Sequence, residues 1–205
     1  MNQKTPIQVF DSWAHSGKDK GMEKNHRIPV NMMLESITKH INKDFSFIDA
    51  GCGNGWVIRK ILNNSNCTNA TGVDGSIKMI ENAKKIDPKG DYICADLLEW
   101  KPKDPVDIVH SMEVLYYFKE PDNLLKHIRK TWLKKDGKII IGIDFYYENT
   151  QSHSWPDQLN THMTLYNIEE WSKIFEDCGF NNIEIKQINA LDLFPGTLVI
   201  SADQC

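Results

Sequence analysis

The sequence predicts an α/β fold in which a mostly parallel sheet is covered by helices on both faces. From about residue 45 onward, short apolar segments alternate with longer segments of helical periodicity. This alternation is typical of parallel strands joined by right-handed helical crossovers. The chain has 205 residues, of which 40% are hydrophobic, so it can bury such a core within one domain.

Five strands are predicted from the short apolar segments up to residue 143. They cover residues 45–50, 70–74, 91–95, 106–111 and 138–143. The fifth is a nearly continuous apolar run, as expected for a strand with helices on both sides. These five strands form the parallel part of the predicted sheet.

Helices are predicted between these strands, where apolar residues recur every three or four positions. Two cover residues 56–63 and 76–86, and a third begins at Pro121 and continues to Leu133. Proline is common at the first position of a helix, and the basic residues before Gly137 are typical of a helix end. A further amphipathic helix is predicted over residues 28–41, ahead of the first strand.

The C-terminal part departs from the alternating pattern. A helix is predicted over residues 168–178, ending before Gly179, and two strands follow at 182–188 and 197–202. The turn signal Phe194-Pro195-Gly196 joins the two strands, so we expect them to pair in antiparallel fashion. Residues 1–27 and 144–166 fit no regular element, and a long irregular segment such as 144–166 is expected to cover a site.

Composition and charge argue against several classes of protein. With 24 basic and 28 acidic residues the net charge is -4, which disfavours a dedicated nucleic-acid binder. No apolar run approaches the ~20 residues of a membrane span, and the first residues lack signal-peptide features. The five cysteines, Cys52, Cys67, Cys94, Cys178 and Cys205, form no CxxC pair and are expected to be reduced thiols. We therefore expect a cytoplasmic protein without membrane contact or a metal site.

A glycine-rich turn follows the first predicted strand. Gly51, Gly53 and Gly55 alternate with other residues directly before a helix, where the backbone can approach a ligand closely. A dinucleotide-binding loop would need a third glycine at the position of Trp56. Asp49 precedes the turn, and its carboxylate would repel a pyrophosphate but suit an ammonium group.

Acidic residues also follow the next two predicted strands. Asp74 is placed to accept hydrogen bonds from ribose hydroxyls, and Asp96 suits an exocyclic amine on a base. Each acid alone could also be a helix cap or a solvated loop residue, but acids at the ends of three successive strands favour a binding site. An amine, a ribose and an adenine without a phosphate describe S-adenosylmethionine (SAM) better than NAD or ATP.

Four segments resemble the successive cofactor-binding motifs of class I SAM-dependent methyltransferases, of the small-molecule type. They read FIDAGCGNG, GVDGS, ADLLEW and DIVHSMEVLYYF. The resemblance extends over residues 45–202 and implies a doubly wound, seven-stranded, mostly parallel sheet with an antiparallel last strand. This is the Rossmann-like methyltransferase fold, with three α/β/α layers.

The resemblance implies a cofactor site assembled from several loops. The methionyl part would be held by Asp49, Gly51, Gly53, Asn54 and Gly55, the ribose by Asp74, Gly75 and Ser76, and the adenine by Asp96 and Leu97. Ser111, Met112 and Glu113 would lie near the sulfonium. On this basis residues 1–205 form a single methyltransferase domain: an N-terminal cap and helix (1–44), a SAM-binding core (45–143), a substrate-covering insertion (144–166) and a C-terminal helix and hairpin (167–205).

The expected reaction is methyl transfer to a small-molecule acceptor by in-line displacement. The fourth strand leads into HSMEVLYY rather than the Asp/Asn-Pro-Pro-aromatic tetrad typical of enzymes that methylate base amines or glutamine. Candidate acceptor-site residues are Trp13, His26, Tyr116, Tyr117, Tyr146, His153, Trp155 and His162. Among them His153, His162 and Tyr116 are candidate catalytic residues, although surface or packing roles are equally compatible with the sequence.

Several alternatives stay open from the sequence. Residues 1–27 would either fold over the cofactor, with Met22, Glu23 or His26 facing it, or form a solvated leader in which Trp13 plugs the core. The chain could also methylate RNA or protein, or bind SAM without catalysis. A NAD-dependent dehydrogenase is opposed by the glycine spacing. We expect a monomer or homodimer.

Overall fold

The computed structural model describes residues 3–204, which fold around one seven-stranded sheet. The strands are β1 (Phe45–Ala50), β2 (Cys67–Asp74), β3 (Asp91–Cys94), β4 (Val106–Met112), β5 (Leu133–Ile143), β6 (Asn181–Ile188) and β7 (Thr197–Asp203). Their order is β3-β2-β1-β4-β5-β7-β6, and β7 runs antiparallel to both of its neighbours. The predicted mostly parallel sheet and its antiparallel C-terminal pair are confirmed. Cys205 lies outside the described residues.

Helices cover both faces of the sheet. They are α1 (Pro6–Ser16), α2 (Lys20–Thr38), α3 (Trp56–Ile61), α4 (Ile77–Ile86), α5 (Pro121–His127), α6 (Trp155–Leu159) and α7 (Ile168–Asp177). On one face, Ile139 and Ile141 of β5 pack in a cluster with Trp132 and Trp171. On the other, Ile140 belongs to a cluster with residues of α2 and α3. Alternate residues of β5 thus enter opposite cores, which makes a three-layer α/β/α structure.

The N-terminal segment is helical, so the prediction that residues 1–27 form no regular element is wrong. α1 begins with a capping box, in which the Thr5 side chain accepts from the Gln8 N–H and Gln8 accepts from the Thr5 N–H. Pro6 occupies the first turn, and Gly17 ends the helix with φ of 76°. This signature, Thr-Pro-x-Gln followed by a glycine, is present in the sequence and identifies the helix.

α2 begins at Lys20 and ends at Thr38, whereas the sequence predicts a helix over residues 28–41. The difference arises because Pro29 lies inside the helix. Proline usually ends a helix because it has no N–H to donate and crowds the preceding turn. Here the helix continues through it, and the Asn25 carbonyl four residues earlier lacks its helical donor. Between residues 3 and 204, no helix is long and apolar enough to cross a membrane.

The chain between α5 and β5 also differs from the prediction. The helix from Pro121 ends in a wide π-type turn over Ile128–Trp132, and Leu133 is already the first residue of β5. The basic residues before Gly137, predicted to end a helix, belong to this strand. Asp136 adopts φ of 61° and donates its N–H to Gln204 O at 2.8 Å, and Gln204 N–H donates to Gly137 O at the same distance. A basic stretch ending in Asp-Gly suits an irregular strand as well as a helix end.

Candidate active site

A cavity of about 740 Å³ opens at the carboxyl-terminal edge of the parallel strands. It lies between β1 and β4, where the strand order reverses direction. Ligands of open α/β sheets bind at this position, and the volume is in the usual range for small-molecule sites. The wall consists of the loop after β1, the ends of the neighbouring strands, helices α1 and α2, and the short helix α6.

The loop after β1 turns through glycines in the left-handed backbone region. The φ angle is 76° at Gly51 and 53° at Gly53, values that residues with a side chain rarely adopt. A Cβ atom on Gly51 would overlap the side chain of Val114, and one on Gly53 would lie 2.9 Å from Met22 Cε. Both glycines line the cavity, so the absence of side chains allows the backbone to contact a ligand directly.

Asp74, the last residue of β2, connects the glycine loop to the start of α4. Its Oδ2 accepts a hydrogen bond of 2.9 Å from the Gly53 N–H, and its Oδ1 accepts one of 2.7 Å from the Ser76 N–H. Burial raises the pKa of Asp74 to about 6, although these two donors oppose the rise. Each carboxylate oxygen has a second lone pair, so Asp74 can accept two further bonds from a pair of hydroxyls, as ribose would supply.

Asp49 is held by a histidine that the sequence analysis did not single out. Its Oδ1 lies 2.7 Å from Nδ1 of His110 on β4, and both side chains are almost completely buried. Because β1 and β4 are paired strands, the contact lies directly beneath the glycine loop. Asp49 also lines the cavity, where its negative charge suits an ammonium group and opposes a phosphate.

Most of the predicted site residues meet in this cavity. Its wall includes Asp49, Gly51, Gly53, Asp74, Gly75, Asp96, Leu97 and Glu113 from the predicted cofactor set, and Trp13, His26, Tyr116, Tyr117 and Trp155 from the predicted acceptor set. These residues come from the ends of four parallel strands, from the N-terminal helices and, for Trp155, from α6. This set of side chains fits SAM, because the carboxylates can accept hydrogen bonds from an amine and a ribose, and the apolar side chain of Leu97 can contact the flat base.

Four residues of the predicted cofactor set lie behind the wall rather than on it. Asn54 donates from Nδ2 to Asp19 Oδ2 at 3.2 Å, and Ser76 accepts from the Met79 N–H at 3.1 Å as the cap of α4. Ser111 donates to Ala50 O at 2.7 Å, and Gly55 is the N-cap of α3. Their side chains or backbone thus fix the loops that line the cavity.

Three residues of the predicted acceptor set lie away from the cavity. Tyr146 is fully buried and donates its hydroxyl to Gly196 O at 2.8 Å. His153 Nε2 lies 2.9 Å from Tyr147 O, and His162 Nε2 lies 2.9 Å from Thr164 Oγ1. The expectation that both histidines face the acceptor is therefore not met, because α6 turns Trp155 and Leu159 toward the cavity instead.

Glu113 lies beside a second buried acid, Asp144, which was not among the residues predicted for the site. Glu113 adopts φ of 61°, accepts a 2.8 Å bond from the Tyr116 hydroxyl, and accepts another from the Asp144 N–H. Burial raises the pKa of Glu113 well above its usual value, and the charge of Asp144 adds to the rise. Asp144 directly follows β5, the same strand-end position that identified Asp74 on β2, so the sequence did contain a signal for it.

The N-terminal helices close one side of the cavity through contacts with distant parts of the chain. Asp11 on α1 accepts from the Ser76 hydroxyl, and the ring of Phe10 packs edge-on against Tyr117 at 5.3 Å. Just before the start of α1, the carbonyl of Lys4 accepts a 2.9 Å hydrogen bond from Thr161 Oγ1. α1 therefore spans the opening from α4 to the segment after α6.

The turn between α1 and α2 is attached to the glycine loop. Asp19 is 2% exposed, and its Oδ2 accepts from the side-chain amides of Asn54 at 3.2 Å and Asn82 at 3.3 Å. Asn82, on α4, also donates to Ala14 O at 3.2 Å. The loop after β1, α4 and the α1–α2 turn therefore share one buried hydrogen-bond network.

Comparison with known proteins agrees with this geometry. A family model described as a methyltransferase domain matches residues 23–185. Malonyl-acyl-carrier-protein O-methyltransferase 2 of Ilyobacter polytropus is 29% identical over 140 residues, which cover 65% of this chain and 54% of the relative. Trans-aconitate 2-methyltransferase of Klebsiella pneumoniae is 30% identical over 81 residues, which cover 40% of this chain and 32% of the relative. The chain thus spans about half, or less, of the length of these relatives.

Solved structures extend the similarity over almost the whole chain. A methyltransferase in complex with the Haloferax volcanii Trm112 methyltransferase activator is 25% identical, with a TM-score of 0.83 over 95% of this chain and 97% of that chain. At 16% and 18% identity, two further structures that share the fold contain S-adenosylhomocysteine and SAM, respectively. The chain belongs to the methyltransferase domain family, and residues 23–185 form the part that matches this S-adenosylmethionine-dependent domain.

Proposed function

We propose that the chain transfers the methyl group of SAM to a small molecule bound beneath α1 and α6. The observation that carries this proposal is the deep cavity, in which aromatic side chains stand next to the glycine loop. Phe10, Trp13, Tyr117 and Trp155 line the same cavity as the acidic strand ends, and the rings of Phe10 and Tyr117 are in contact. A wall of this kind accommodates a small, partly apolar acceptor better than an extended polymer.

In this proposal the cofactor is held by the residues predicted for it that line the cavity. Asp74 accepts the ribose hydroxyls, Asp49 faces the ammonium group, and Asp96 and Leu97 flank the adenine. When bound, SAM supplies an activated methyl group. The chain then holds the acceptor atom in line with the methyl carbon and keeps water out, which accounts for most of the barrier reduction in such a displacement.

The N-terminal helices act as the lid in this proposal. The support is that α1 reaches across the opening and that Ile7, Phe10 and Trp13 line the cavity beneath it. This arrangement favours the lid over the alternative of a solvated leader. We also propose a cytoplasmic location, supported by the free thiols of Cys52, Cys67, Cys94 and Cys178.

The experiment that tests the proposed function uses purified protein, SAM with an isotopically labelled methyl group, and a metabolite extract. Mass spectrometry should detect labelled products below about 1 kDa that require native protein. Heat-denatured protein is the control. Label found only in protein or RNA, with none in small molecules, would contradict the proposal.

A protein activator is a second candidate feature, favoured by the similarity to the methyltransferase solved with Trm112. That similarity covers 95% of this chain. If this chain needs such a partner, co-expression with the Trm112 protein of its source organism should give a stable complex and raise the turnover number. Equal turnover with and without that protein, and separate elution on a sizing column, would exclude the requirement.

RNA or protein as the acceptor is less well supported. The main basic cluster comprises Lys101, Lys103, Lys119, Lys126, Arg129, Lys130, Lys134 and Lys135. Lys126 pairs with Asp122 at 2.7 Å and Lys134 with Asp107 at 2.8 Å, and both lysines are exposed. Exposed pairs of this kind are typical of a solvated surface. Retention on heparin at moderate salt would reopen this alternative.

A further inference from the structure

The cavity wall contains Asp144 and His26, two titratable residues outside the predicted cofactor set, together with Glu113, which is expected near the sulfonium. We propose that the acceptor is a protonated amine, which Asp144 binds as a cation and from which His26 takes a proton. The proposal rests on the small-molecule function proposed above and specifies the class of acceptor. It differs from the carboxylate chemistry in the names of the relatives, malonyl and trans-aconitate.

The charge of the cavity wall favours a cation over an anion. Among the described residues that line it, the acids are Asp49, Asp74, Asp96, Glu113 and Asp144, whereas the basic residues are Lys18 and His26. Lys18 is exposed at the α1–α2 turn. Asp49, Asp74 and Asp96 are proposed to contact the amine, ribose and adenine of SAM, which leaves Asp144, and Glu113 next to the sulfonium, to face the acceptor. A tricarboxylate would meet like charges there, and an ammonium group would meet opposite ones.

Asp144 is the carboxylate best placed to bind this cation. Both oxygens of Glu113 already accept hydrogen bonds, from the Tyr116 hydroxyl and the Asp144 N–H. Asp144 is only 8% exposed, and its Oδ1 is buried and accepts no hydrogen bond of standard geometry. Burial raises the pKa of Asp144, although the side chain of Thr197 and the charge of His26 oppose the rise. An ammonium group beside it would supply further, charged donors, including one for Oδ1.

The surrounding wall suits the rest of an amine. Aromatic rings of Trp13, Tyr117 and Trp155 line the same cavity and can contact both a cation and an apolar carbon skeleton. Asn25, on α2, also lines it, and its carbonyl lacks a helical donor because residue 29 is proline. Asn25 thus adds a polar residue, which carries both a side-chain amide and this carbonyl, to the wall. Acid, rings and carbonyl together match an arylalkylamine.

His26 lies where it can remove the proton that blocks the nitrogen lone pair. Its Nδ1 is 3.7 Å from Asp144 Oδ2. Burial lowers the pKa of His26, so the imidazole is neutral near pH 7 and can act as a base. The proton passes from the ammonium to His26, and the freed lone pair forms the new N–C bond to the methyl carbon. The C–S bond breaks with its electron pair remaining on sulfur, and Asp144 offsets the charge gained by His26.

The first test measures binding of matched pairs to the protein loaded with S-adenosylhomocysteine. Calorimetry compares tryptamine with indole-3-propionate and phenethylamine with 3-phenylpropionate, and includes trans-aconitate. We expect each amine to bind about tenfold or more tightly than its carboxylate partner. Tighter binding of the carboxylates would overturn the amine proposal and leave the small-molecule function standing. No binding of any of these compounds, with normal S-adenosylhomocysteine binding, would overturn the arylalkylamine acceptor, whereas the small-molecule function is decided separately by the labelled metabolite extract.

The second test asks whether Asp144 causes the preference. Asp144→Asn keeps the size of the side chain and removes the charge, so the amine-to-carboxylate ratio should fall about tenfold. Asp122→Asn is the matched control, because Asp122 is a surface acid paired with Lys126, away from the cavity. An unchanged ratio in the Asp144 variant, with a melting temperature like that of wild type, would overturn the role of Asp144.

The third test separates a proton-accepting role of His26 from a structural one. The charged groups on the wall around His26 are Asp144 after β5, Glu113 after β4, Asp49 at the end of β1 and Lys18 before α2. With tryptamine, the wild-type turnover number should stay level around pH 7 and fall only in more acidic solution, as His26, whose pKa burial lowers, becomes protonated. In His26→Gln it should keep rising toward about pH 10, where the amine loses its own proton. Parallel pH profiles would exclude the role of His26.

Discussion

The two halves of the cavity are built in different ways. The cofactor half is made of consecutive strand–loop–helix units, in which Asp49, Gly51, Gly53 and Asp74 lie within one stretch of the chain. The acceptor half joins α1 and α2 to the ends of β4 and β5 and to α6, which are far apart in sequence. A change in the first half should therefore act through a local loop, whereas a change in the second should act through packing between distant elements.

The largest effect is expected from Asp74→Ala. The substitution removes the acceptor of the Gly53 and Ser76 N–H groups and of the ribose hydroxyls. Two lost hydrogen bonds to a charged group correspond to roughly 3 kcal/mol, or about a hundredfold in SAM affinity. Calorimetry should show this loss while circular dichroism shows an intact fold. Wild-type affinity in the variant would contradict the ribose assignment.

Removal of residues 1–20 tests the acceptor half. The truncation deletes α1, including Phe10 and Trp13, and opens the cavity to water. We expect kcat/KM for the acceptor to fall about thirtyfold, because water exclusion and orientation are both lost. SAM affinity should also fall, but by less than kcat/KM. The truncation removes Asp19, which accepts a hydrogen bond from Asn54 of the glycine loop, whereas the other residues of that loop and Asp74 stay in place. Unchanged affinity and unchanged turnover would refute the lid.

A smaller effect on SAM affinity is expected from a change of pH, because Asp74 in the cofactor half is titrated. The pKa of Asp74 is raised to about 6, so the carboxylate that accepts the ribose hydroxyls is protonated below that pH. From pH 7 to pH 5, SAM affinity should therefore fall by up to about tenfold. Because the folded-state pKa lies above that of the unfolded chain, ionised Asp74 costs stability above about pH 6, and the cost disappears on acidification.

Thermal denaturation checks the sign of this pH effect. Between pH 7 and pH 5, the stability of the ligand-free wild type should rise relative to that of Asp74→Ala, while its SAM affinity falls. Affinity and stability would then respond to acid in opposite directions. If wild type and variant show the same pH dependence of stability, the pKa of Asp74 is not raised and the explanation fails.

The same contrast explains what the sequence could predict. Strand ends, glycine spacing and acids after successive strands are local features, and they located Asp49, Asp74 and the glycine loop correctly on the cavity wall.

The residues that the sequence did not place depend on tertiary packing. His110 was missed because a histidine inside an apolar strand gives no sign of its partner. His153 and His162 were expected in the site because the irregular segment was expected to cover it, but the path of such a segment depends on tertiary packing. The start of α2 was predicted eight residues too late, at residue 28, because a proline usually marks the first turn of a helix and here Pro29 lies inside one.

The buried network around Asp19 bears on the order in which ligands enter. The α1–α2 turn cannot move outward without breaking the bonds that Asn54 and Asn82 donate to Asp19. Asn54 belongs to the loop after β1, so displacement of the helices also releases the loop that contacts the cofactor. A cofactor that stabilises this loop therefore also stabilises the closed helices. Such coupling favours a compulsory sequence in which the methyl donor binds first and the acceptor second.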